Sequence, residues 1–272
     1  MNTLTPRITV AVACVISLYL AGCACCARTT GANFSPADVE TNLHQSGSTS
    51  TSPAATRPQA RTTPATSSPS VPFESDIRAF EAADATSPPP PGSVVFVGSS
   101  SIRLWKTLAS DFPDLPAPVL NRGFGGSQVA DSVRYADRIV LPYRPSAVVL
   151  YAGDNDLAAG KSPQQVASDA RAFASKVHAA QPDTPILFIA IKPSIARRHL
   201  LDQVREANGL VKEFADEDEH VDYVDVFTPM LTPEGEPRGE LLVADKLHMN
   251  ADGYKLWTEI LRPHLDRALA RP

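Results

Sequence analysis

The alternation of hydrophobic and polar positions divides this chain of 272 residues into three parts. A continuous apolar run, ITVAVACVISLYLAG, lies close to the start, and a stretch with almost no large apolar residue follows from about Arg28 to Val71. From Phe73 onward, short continuous apolar stretches alternate with segments whose apolar residues recur every three or four positions. The last part therefore predicts buried strands separated by amphipathic helices.

Five apolar stretches in this last part predict strands: SVVFVG, PVLN, SAVVLYAG, TPILFIAI and VDYVDV. The segments around them predict helices. One helix opens with Ser162 as N-cap, Pro163 at the first helical position and Gln165 at the capping-box position. Pro263 is expected to bend or break the final helix. Continuous apolar strands that alternate with helices indicate an α/β fold with a parallel sheet covered on both faces.

The first 22 residues predict a signal peptide, because Arg7 precedes an apolar run that is too short for a comfortable membrane span. The run ends in LAGC, which resembles the lipobox of bacterial lipoprotein signal peptides, in which the cysteine, here Cys23, becomes the lipidated first residue of the mature protein. This resemblance implies export and a lipid anchor in a bacterial membrane, with the protein periplasmic or on the cell surface. The alternatives are a plain signal peptide cleaved near AGCACCA and a single retained span.

Residues 23–72 are rich in Ser, Thr, Pro and Ala and predict a disordered tether, since they cannot bury enough apolar surface to offset the entropy of ordering. Residues 73–272 form the predicted globular domain, which has a normal size for one domain. All four cysteines lie between Cys14 and Cys26, so this domain has no disulfide, cysteine metal site or cysteine nucleophile. The formal net charge of −5 argues against nucleic-acid binding.

Polar or glycine-rich stretches follow the predicted strands, at the edge where parallel α/β sheets place their chemistry: GSSS, NRGFGGS, YAGDND and VADKLHMN. In the first, three serines stand where a strand passes into a helix, so that one of them either reacts or caps the helix. The second has neither a dinucleotide-binding nor a Walker pattern. Two roles therefore remain for Gly126: its backbone N–H approaches a ligand closely, or the residue forms a tight turn.

The third and fourth stretches each allow two interpretations when they are considered separately. In GDND the twelve-residue calcium-loop pattern fails, so Asn155 either aims its amide N–H groups into a site or forms a turn. In DKLH the three-residue spacing brings Asp245 and His248 to the same side, where a carboxylate can orient an imidazole. A surface Asp and His is the alternative. Together the four stretches supply a nucleophile, oxyanion donors, a base and its orienting acid.

These four blocks, in this order, resemble the SGNH or GDSL-type serine hydrolases, and in detail their platelet-activating-factor acetylhydrolase-like sub-group. The resemblance implies a three-layer α/β/α sandwich of the flavodoxin-like kind. It implies Ser100 as the nucleophile, with Asp245 and His248 completing a catalytic triad. It also implies an oxyanion hole formed by the backbone N–H groups of Ser100 and Gly126 and the side-chain amide of Asn155. Such a site uses no metal and no cofactor.

One residue departs from the family pattern, because Ser99 stands where these enzymes usually have Asp. The hydrogen bonds that this Asp makes around the turn are therefore in question. Ser99 and Ser101 also remain as alternative nucleophiles. We expect Ser100 to react and a neighbouring serine to support the turn.

The predicted activity is hydrolysis of a small acyl ester or an O-acetylated carbohydrate through an acyl-enzyme on Ser100. The sequence contains no long apolar lid insertion, which favours short acyl groups. The alternative is a surface lipoprotein that binds glycan with an inactive site. A phosphatase or nucleotide hydrolase is disfavoured because the Walker and metal motifs are missing.

Overall fold

The computed structural model describes residues 71–270. The predicted signal peptide (1–22), Cys23 and almost all of the predicted tether (23–72) lie outside these residues and remain predictions. No helix within 71–270 is long and apolar enough to cross a membrane. This part of the chain contains five strands: β1 (Val94–Gly98), β2 (Val119–Gly123), β3 (Ala147–Tyr151), β4 (Ile186–Ile189) and β5 (Val221–Val224). It also contains eight α-helices: α1 (Glu74–Thr86), α2 (Ser100–Arg103), α3 (Leu108–Asp111), α4 (Val129–Ile139), α5 (Asp154–Ala158), α6 (Pro163–Ala180), α7 (Leu201–Asp216) and α8 (Ala251–Leu269).

The five strands form one parallel sheet in the order β2-β1-β3-β4-β5. β1 and β3 are buried at every residue, as expected for inner strands that are covered on both faces. From β1 the chain goes to β2 on one side and then crosses back to β3 on the other side, so the strand order reverses at β1. In sheets of this kind ligands bind beyond the carboxyl ends of the strands at such a switch point.

Helices cover both faces of the sheet, which confirms the predicted three-layer α/β/α architecture. On one face, α4 packs against α1 and α6, and α6 packs against α7. On the other face α8 contacts β3 and β5. Its Trp257 ring lies 4.9 Å from the ring of Tyr151 on β3 and 6.0 Å from that of Trp105, centroid to centroid. Phe96 of β1 also lies 5.9 Å from Trp105, so an aromatic layer holds the segment after α2 against the sheet.

Two local expectations can be compared with these elements. Ser162 caps α6 as predicted, because its hydroxyl oxygen accepts a hydrogen bond from the Gln165 backbone N–H at 3.1 Å. The last helix is not broken at Pro263, which lies inside a continuous α8. A proline removes one backbone hydrogen bond from a helix. Here the fully buried side chains of Leu261 and Leu265 hold the helix against the core on both sides of that position.

Candidate active site

The four polar stretches identified in the sequence meet at the carboxyl edge of the sheet, around the switch point. Ser100 is the first residue of α2, just after β1, and Asn155 lies in α5, just after β3. Gly126 lies between β2 and α4, and His248 lies shortly before α8. These residues open into one cleft of about 350 Å³, which is lined by Ser100, Arg103, Leu104, Gly125, Gly126, Asn155, Leu247 and His248.

The turn between β1 and α2 depends on Gly98. Its φ of 131° is a conformation that L side chains rarely adopt, and a Cβ at this position would lie 1.9 Å from the carbonyl oxygen of Tyr151. The next residue, Ser99, donates its backbone N–H to that same carbonyl at 2.9 Å. β1 therefore stays in close contact with β3 up to the point at which Ser100 leaves the sheet.

Of the three consecutive serines, Ser100 is the one whose hydroxyl faces the cleft and reaches the imidazole of His248. Ser99 and Ser101 are 0% and 1% exposed, so the structure places neither within reach of a substrate. Ser99 occupies the N-cap position of α2, yet its side chain makes no capping bond. Within residues 71–270 its hydroxyl has no hydrogen-bond partner. Side-chain capping therefore does not explain Ser99, and the turn is supported by its backbone N–H instead.

His248 links Ser100 to Asp245. Its Nε2 lies 2.9 Å from Ser100 Oγ, and its Nδ1 lies 2.6 Å from Asp245 Oδ2. The other carboxylate oxygen of Asp245 accepts the backbone N–H groups of Leu247 at 2.8 Å and of His248 at 2.9 Å. The hydrogen bond with the His248 side chain, followed by these backbone bonds, holds the pKa of Asp245 well below its usual range. An ionised carboxylate on Nδ1 leaves Nε2 free to accept the Ser100 proton.

The three predicted oxyanion donors line the same cleft. In the described part of the chain, the backbone N–H groups of Ser100 and Gly126 donate no hydrogen bond to another protein group, so both remain available to a ligand. The Asn155 Nδ2 group donates one hydrogen to the carbonyl oxygen of Ser127 at 3.0 Å, which leaves its second hydrogen for the cleft. Gly126 has a φ of 87°. This arrangement can stabilise negative charge on an oxygen bound next to Ser100 Oγ.

Arg197 and Lys192, in the loop after β4, form a network of hydrogen bonds and ion pairs behind Asn155. The sequence motifs did not predict this network. Arg197 Nη2 donates to Asn155 Oδ1 at 2.9 Å, while its Nη1 forms an ion pair with Asp154 Oδ2 at 3.0 Å. Lys192 Nζ lies 3.9 Å from the same Asp154 oxygen and donates to the carbonyl oxygen of Leu247 at 2.7 Å. Burial lowers the pKa of this lysine. The available signal was the polar stretch KPSIARR, which follows a buried strand at the same edge of the sheet.

The carboxylates of the GDND stretch are engaged by cations of the protein. Asp154 is paired with Arg197, as described above. Asp156 is fully buried, and its carboxylate lies 2.9 Å from Lys161 Nζ. Burial raises the pKa of Asp156, an effect that Lys161 opposes. Within the residues that the structure describes, no group of three or more His, Cys, Asp or Glu side chains could hold a metal ion.

Comparison with known proteins adds an independent observation. The profile of the GDSL-like lipase/acylhydrolase family matches residues 94–256, a range that contains the predicted catalytic and oxyanion-hole residues but not Cys23. No curated protein sequence matches the chain significantly. The family match thus covers the strands, the cleft and the segment that carries Asp245 and His248.

Several solved structures are similar to this chain in fold. A GDSL-like lipase from Bacteroides thetaiotaomicron is 19% identical, with 71% of this chain and 98% of that chain covered and a TM-score of 0.61. A protein from Streptococcus pneumonia that is provisionally described as a platelet activating factor is 20% identical, with 71% and 92% covered and a TM-score of 0.63. A catalytic mutant of an acetylxylan esterase from Geobacillus stearothermophilus is 15% identical, with 65% and 95% covered and a TM-score of 0.50. At these identities the likeness concerns the fold.

Proposed function

Because this chain belongs to the GDSL-like lipase/acylhydrolase family, we propose that it is a serine esterase that hydrolyses carboxylic esters through an acyl-enzyme on Ser100. The observation that carries this proposal is the hydrogen-bonded chain from Ser100 Oγ through His248 to Asp245, with distances of 2.9 Å and 2.6 Å. A nucleophile, a base and an orienting acid at these distances are already arranged for proton transfer.

In the proposed acylation step, Ser100 Oγ attacks the ester carbonyl carbon while His248 Nε2 takes its proton. The oxygen of the tetrahedral intermediate lies among the N–H groups of Ser100 and Gly126 and the amide of Asn155. When the intermediate collapses, the bond to the alcohol oxygen breaks and His248 returns the proton to that oxygen. A water molecule, deprotonated by His248, then attacks the acyl-enzyme, and the second collapse releases the acid and restores Ser100.

The direct test is Ser100→Ala, assayed with p-nitrophenyl acetate. We expect the turnover to fall by roughly 10⁵-fold or more, since the nucleophile is removed. Ser110→Ala is a matched control, because Ser110 is an exposed serine on α3 whose hydroxyl donates only to the Thr107 carbonyl.

A fluorophosphonate probe gives a second readout of the same proposal. We expect it to label the wild-type protein and Ser110→Ala but not Ser100→Ala. Wild-type turnover retained in Ser100→Ala would refute the assignment. An unlabelled and inactive wild-type protein would refute the esterase and favour the alternative of an inactive, glycan-binding lipoprotein.

We propose a small acyl ester or an O-acetylated carbohydrate as the substrate. The cleft of about 350 Å³ is at the small end of the range for ligand sites, and Leu104 and Leu247 are the larger apolar side chains among the described residues that line it. The similarity of fold to an acetylxylan esterase is consistent with an acetylated sugar. We expect rates on p-nitrophenyl esters to fall from acetate to palmitate, and acetylated xylan to release acetate. A rate that peaks at long chains would contradict the proposal.

We also propose that the chain is exported and held at a bacterial membrane by a lipid on Cys23, at the periplasmic or cell-surface side. The support is the apolar run that ends in LAGC. Cys23→Ser should move the protein from the membrane fraction to the soluble fraction and abolish incorporation of labelled fatty acid. Cys25→Ser is the matched control and should leave both unchanged. Membrane association retained in Cys23→Ser would contradict the anchor.

A further inference from the structure

Among the described residues that line the candidate active-site cleft, Arg103 is the one side chain with a permanent charge. It is the last residue of α2, three positions after Ser100, so both side chains project toward the same side of the helix. Its Nη1 lies 2.8 Å from the place that a Cβ on Gly125 would occupy. The missing side chain at Gly125 thus lets the guanidinium lie against the loop that carries Gly126.

This guanidinium differs from most others in the molecule. Most arginines within residues 71–270 form ion pairs with a carboxylate: Arg78, Arg122, Arg138, Arg171, Arg197, Arg198, Arg205, Arg238, Arg262 and Arg267. In the same part of the chain, the Arg103 side chain makes neither an ion pair nor a hydrogen bond, although the protein carries more acidic than basic residues. The residues of 71–270 that line the cleft include no carboxylate that could neutralise it.

A second groove, of about 380 Å³, adjoins the cleft and shares Arg103 with it. Lys106 also lines this groove, and its ammonium group donates only to the backbone carbonyl of Arg103, at 3.3 Å. None of the described residues that line the groove is Asp or Glu. Within the described structure, the surface that leads away from Ser100 on this side therefore carries two cations without an acidic partner.

We propose that Arg103 forms an anion subsite that binds a carboxylate or phosphate group on the ester substrate. The planar guanidinium presents parallel N–H donors that match the two oxygens of either group. The inference rests on the proposed esterase function and deepens it, since it assigns an acidic character to the substrate.

The test compares three acetate esters: 4-acetoxybenzoate, 4-acetoxyphenyl phosphate and the neutral methyl 4-acetoxybenzoate. We expect Arg103→Gln to lower the ratio of kcat/KM for an anionic ester over the neutral ester by about tenfold or more, because a charge-assisted hydrogen bond is lost. The exposed Arg134 of α4 provides the control, and Arg134→Gln should keep the wild-type ratio. The anionic ester whose ratio falls identifies the group that is bound.

An unchanged ratio for both anionic esters in Arg103→Gln would overturn the subsite while leaving the esterase proposal intact. A wild-type protein that hydrolyses none of the three esters would instead refute the esterase, and the subsite with it.

A separate observation concerns the loop between β4 and α7, which contacts both halves of the candidate site. Lys192 Nζ donates to the Leu247 carbonyl oxygen at 2.7 Å, and the Ala196 backbone N–H donates to the Lys246 carbonyl oxygen at 3.0 Å. Both contacts hold the segment that carries Asp245 and His248. Arg197 reaches the other half through its hydrogen bond to Asn155.

The bond between Arg197 and Asn155 has a definite chemical direction. An arginine can only donate, so the Asn155 oxygen must point toward Arg197 and the Nδ2 group must point away from it. The carboxylate of Asp154, 7% exposed at its side chain, lies 3.0 Å from Arg197 Nη1 and attracts the guanidinium by its charge from the other side. We infer that Arg197 is a positioning residue that keeps the Asn155 N–H₂ group turned toward the oxyanion, an inference that also rests on the proposed function.

We expect Arg197→Met to lower kcat for p-nitrophenyl acetate by about tenfold while KM changes little, because the amide acts on the transition state. In the Asn155→Ala background the same substitution should have almost no further effect on kcat. Arg198→Met is the control, since that exposed neighbour pairs with Glu236 on the surface.

A purely structural role for Arg197 would lower the thermal midpoint and would reduce the rate equally in both backgrounds. That result, or an unchanged kcat in Arg197→Met, would overturn the inference. A wild-type protein without esterase activity would refute the proposed function itself.

Discussion

Two histidine–aspartate pairs in this molecule have the same core geometry in different surroundings. His248 Nδ1 lies 2.6 Å from Asp245 Oδ2, and His264 Nδ1 lies 2.6 Å from Asp222 Oδ2. The first pair stands at the carboxyl edge of the sheet. The second joins α8 to β5, and Arg267 Nη2 lies 3.2 Å from the same Asp222 oxygen. Arg267 Nη2 also lies 2.9 Å from His264 Nδ1.

The difference that bears on catalysis is what the second imidazole nitrogen contacts. His248 Nε2 reaches Ser100 Oγ at the mouth of a cleft. Among the described residues, the hydrogen bonds of His264 are made at Nδ1, and its Nε2 has no hydrogen-bonded hydroxyl. A histidine hydrogen-bonded to a carboxylate can therefore have a purely structural role. It becomes a candidate catalytic pair only when a nucleophile and oxyanion donors lie beside it.

The largest expected contrast comes from removing each imidazole. His248→Ala should lower turnover of p-nitrophenyl acetate by roughly 10⁵-fold or more, because the base for Ser100 is lost. His264→Ala should keep turnover within about twofold of wild type once folding is verified by circular dichroism. Similar losses in both variants would mean that His264 also takes part in the reaction.

Removing the charge from each carboxylate should give a smaller contrast. Asp245→Asn should lower kcat by roughly 10³–10⁴-fold, because an amide no longer stabilises the imidazolium or fixes the imidazole tautomer. Asp222→Asn should have no such effect on kcat. Both rates can be measured in one stopped-flow series. A kcat for Asp245→Asn close to that of wild type would show that the backbone alone orients His248.

The smallest expected effect is on stability and concerns Asp222. Burial raises its pKa, but the hydrogen bond and charge of His264 and the charge of Arg267 outweigh burial, so its pKa lies below the usual range. This stabilisation is present above the unfolded pKa of about 3.9 and is lost as the pH falls through the folded value. Since the pair is partly exposed, urea unfolding should find Asp222→Asn less stable by about 1 kcal/mol or less at pH 6.

The same comparison at pH 3 should give a smaller difference between wild type and Asp222→Asn. A gap that widens toward low pH would contradict the assigned direction of the pKa.

Much of the fold follows from local periodicity. All five apolar stretches are strands, and the membership in the GDSL-like family predicted from the four blocks is confirmed. The strand order could not be derived, because it depends on how crossover helices pack over distances that periodicity does not report. The catalytic roles, the domain boundaries and the lipid anchor remain predictions.

The candidate site was predictable where chemistry follows a strand with a recognisable motif. Ser100, Gly126, Asn155, Asp245 and His248 are examples, and the structure brings them to one edge of the sheet.

Arg197 and Lys192 were not predictable in this way. Their loop carries no motif, and a lysine acquires its role only when the chain folds back over it and buries it. The unpaired state of Arg103 likewise becomes visible only when the carboxylates of residues 71–270 have been placed.

The close approach at Gly98 has a consequence for how this protein tolerates change. A single methyl group there would push apart two strands whose ends carry the nucleophile and the amide donor, so an alanine would disturb geometry and stability together. A library randomised at this position and selected only for soluble expression should return glycine. Selection for activity should return the same residue at position 98, because packing alone already excludes every other side chain there.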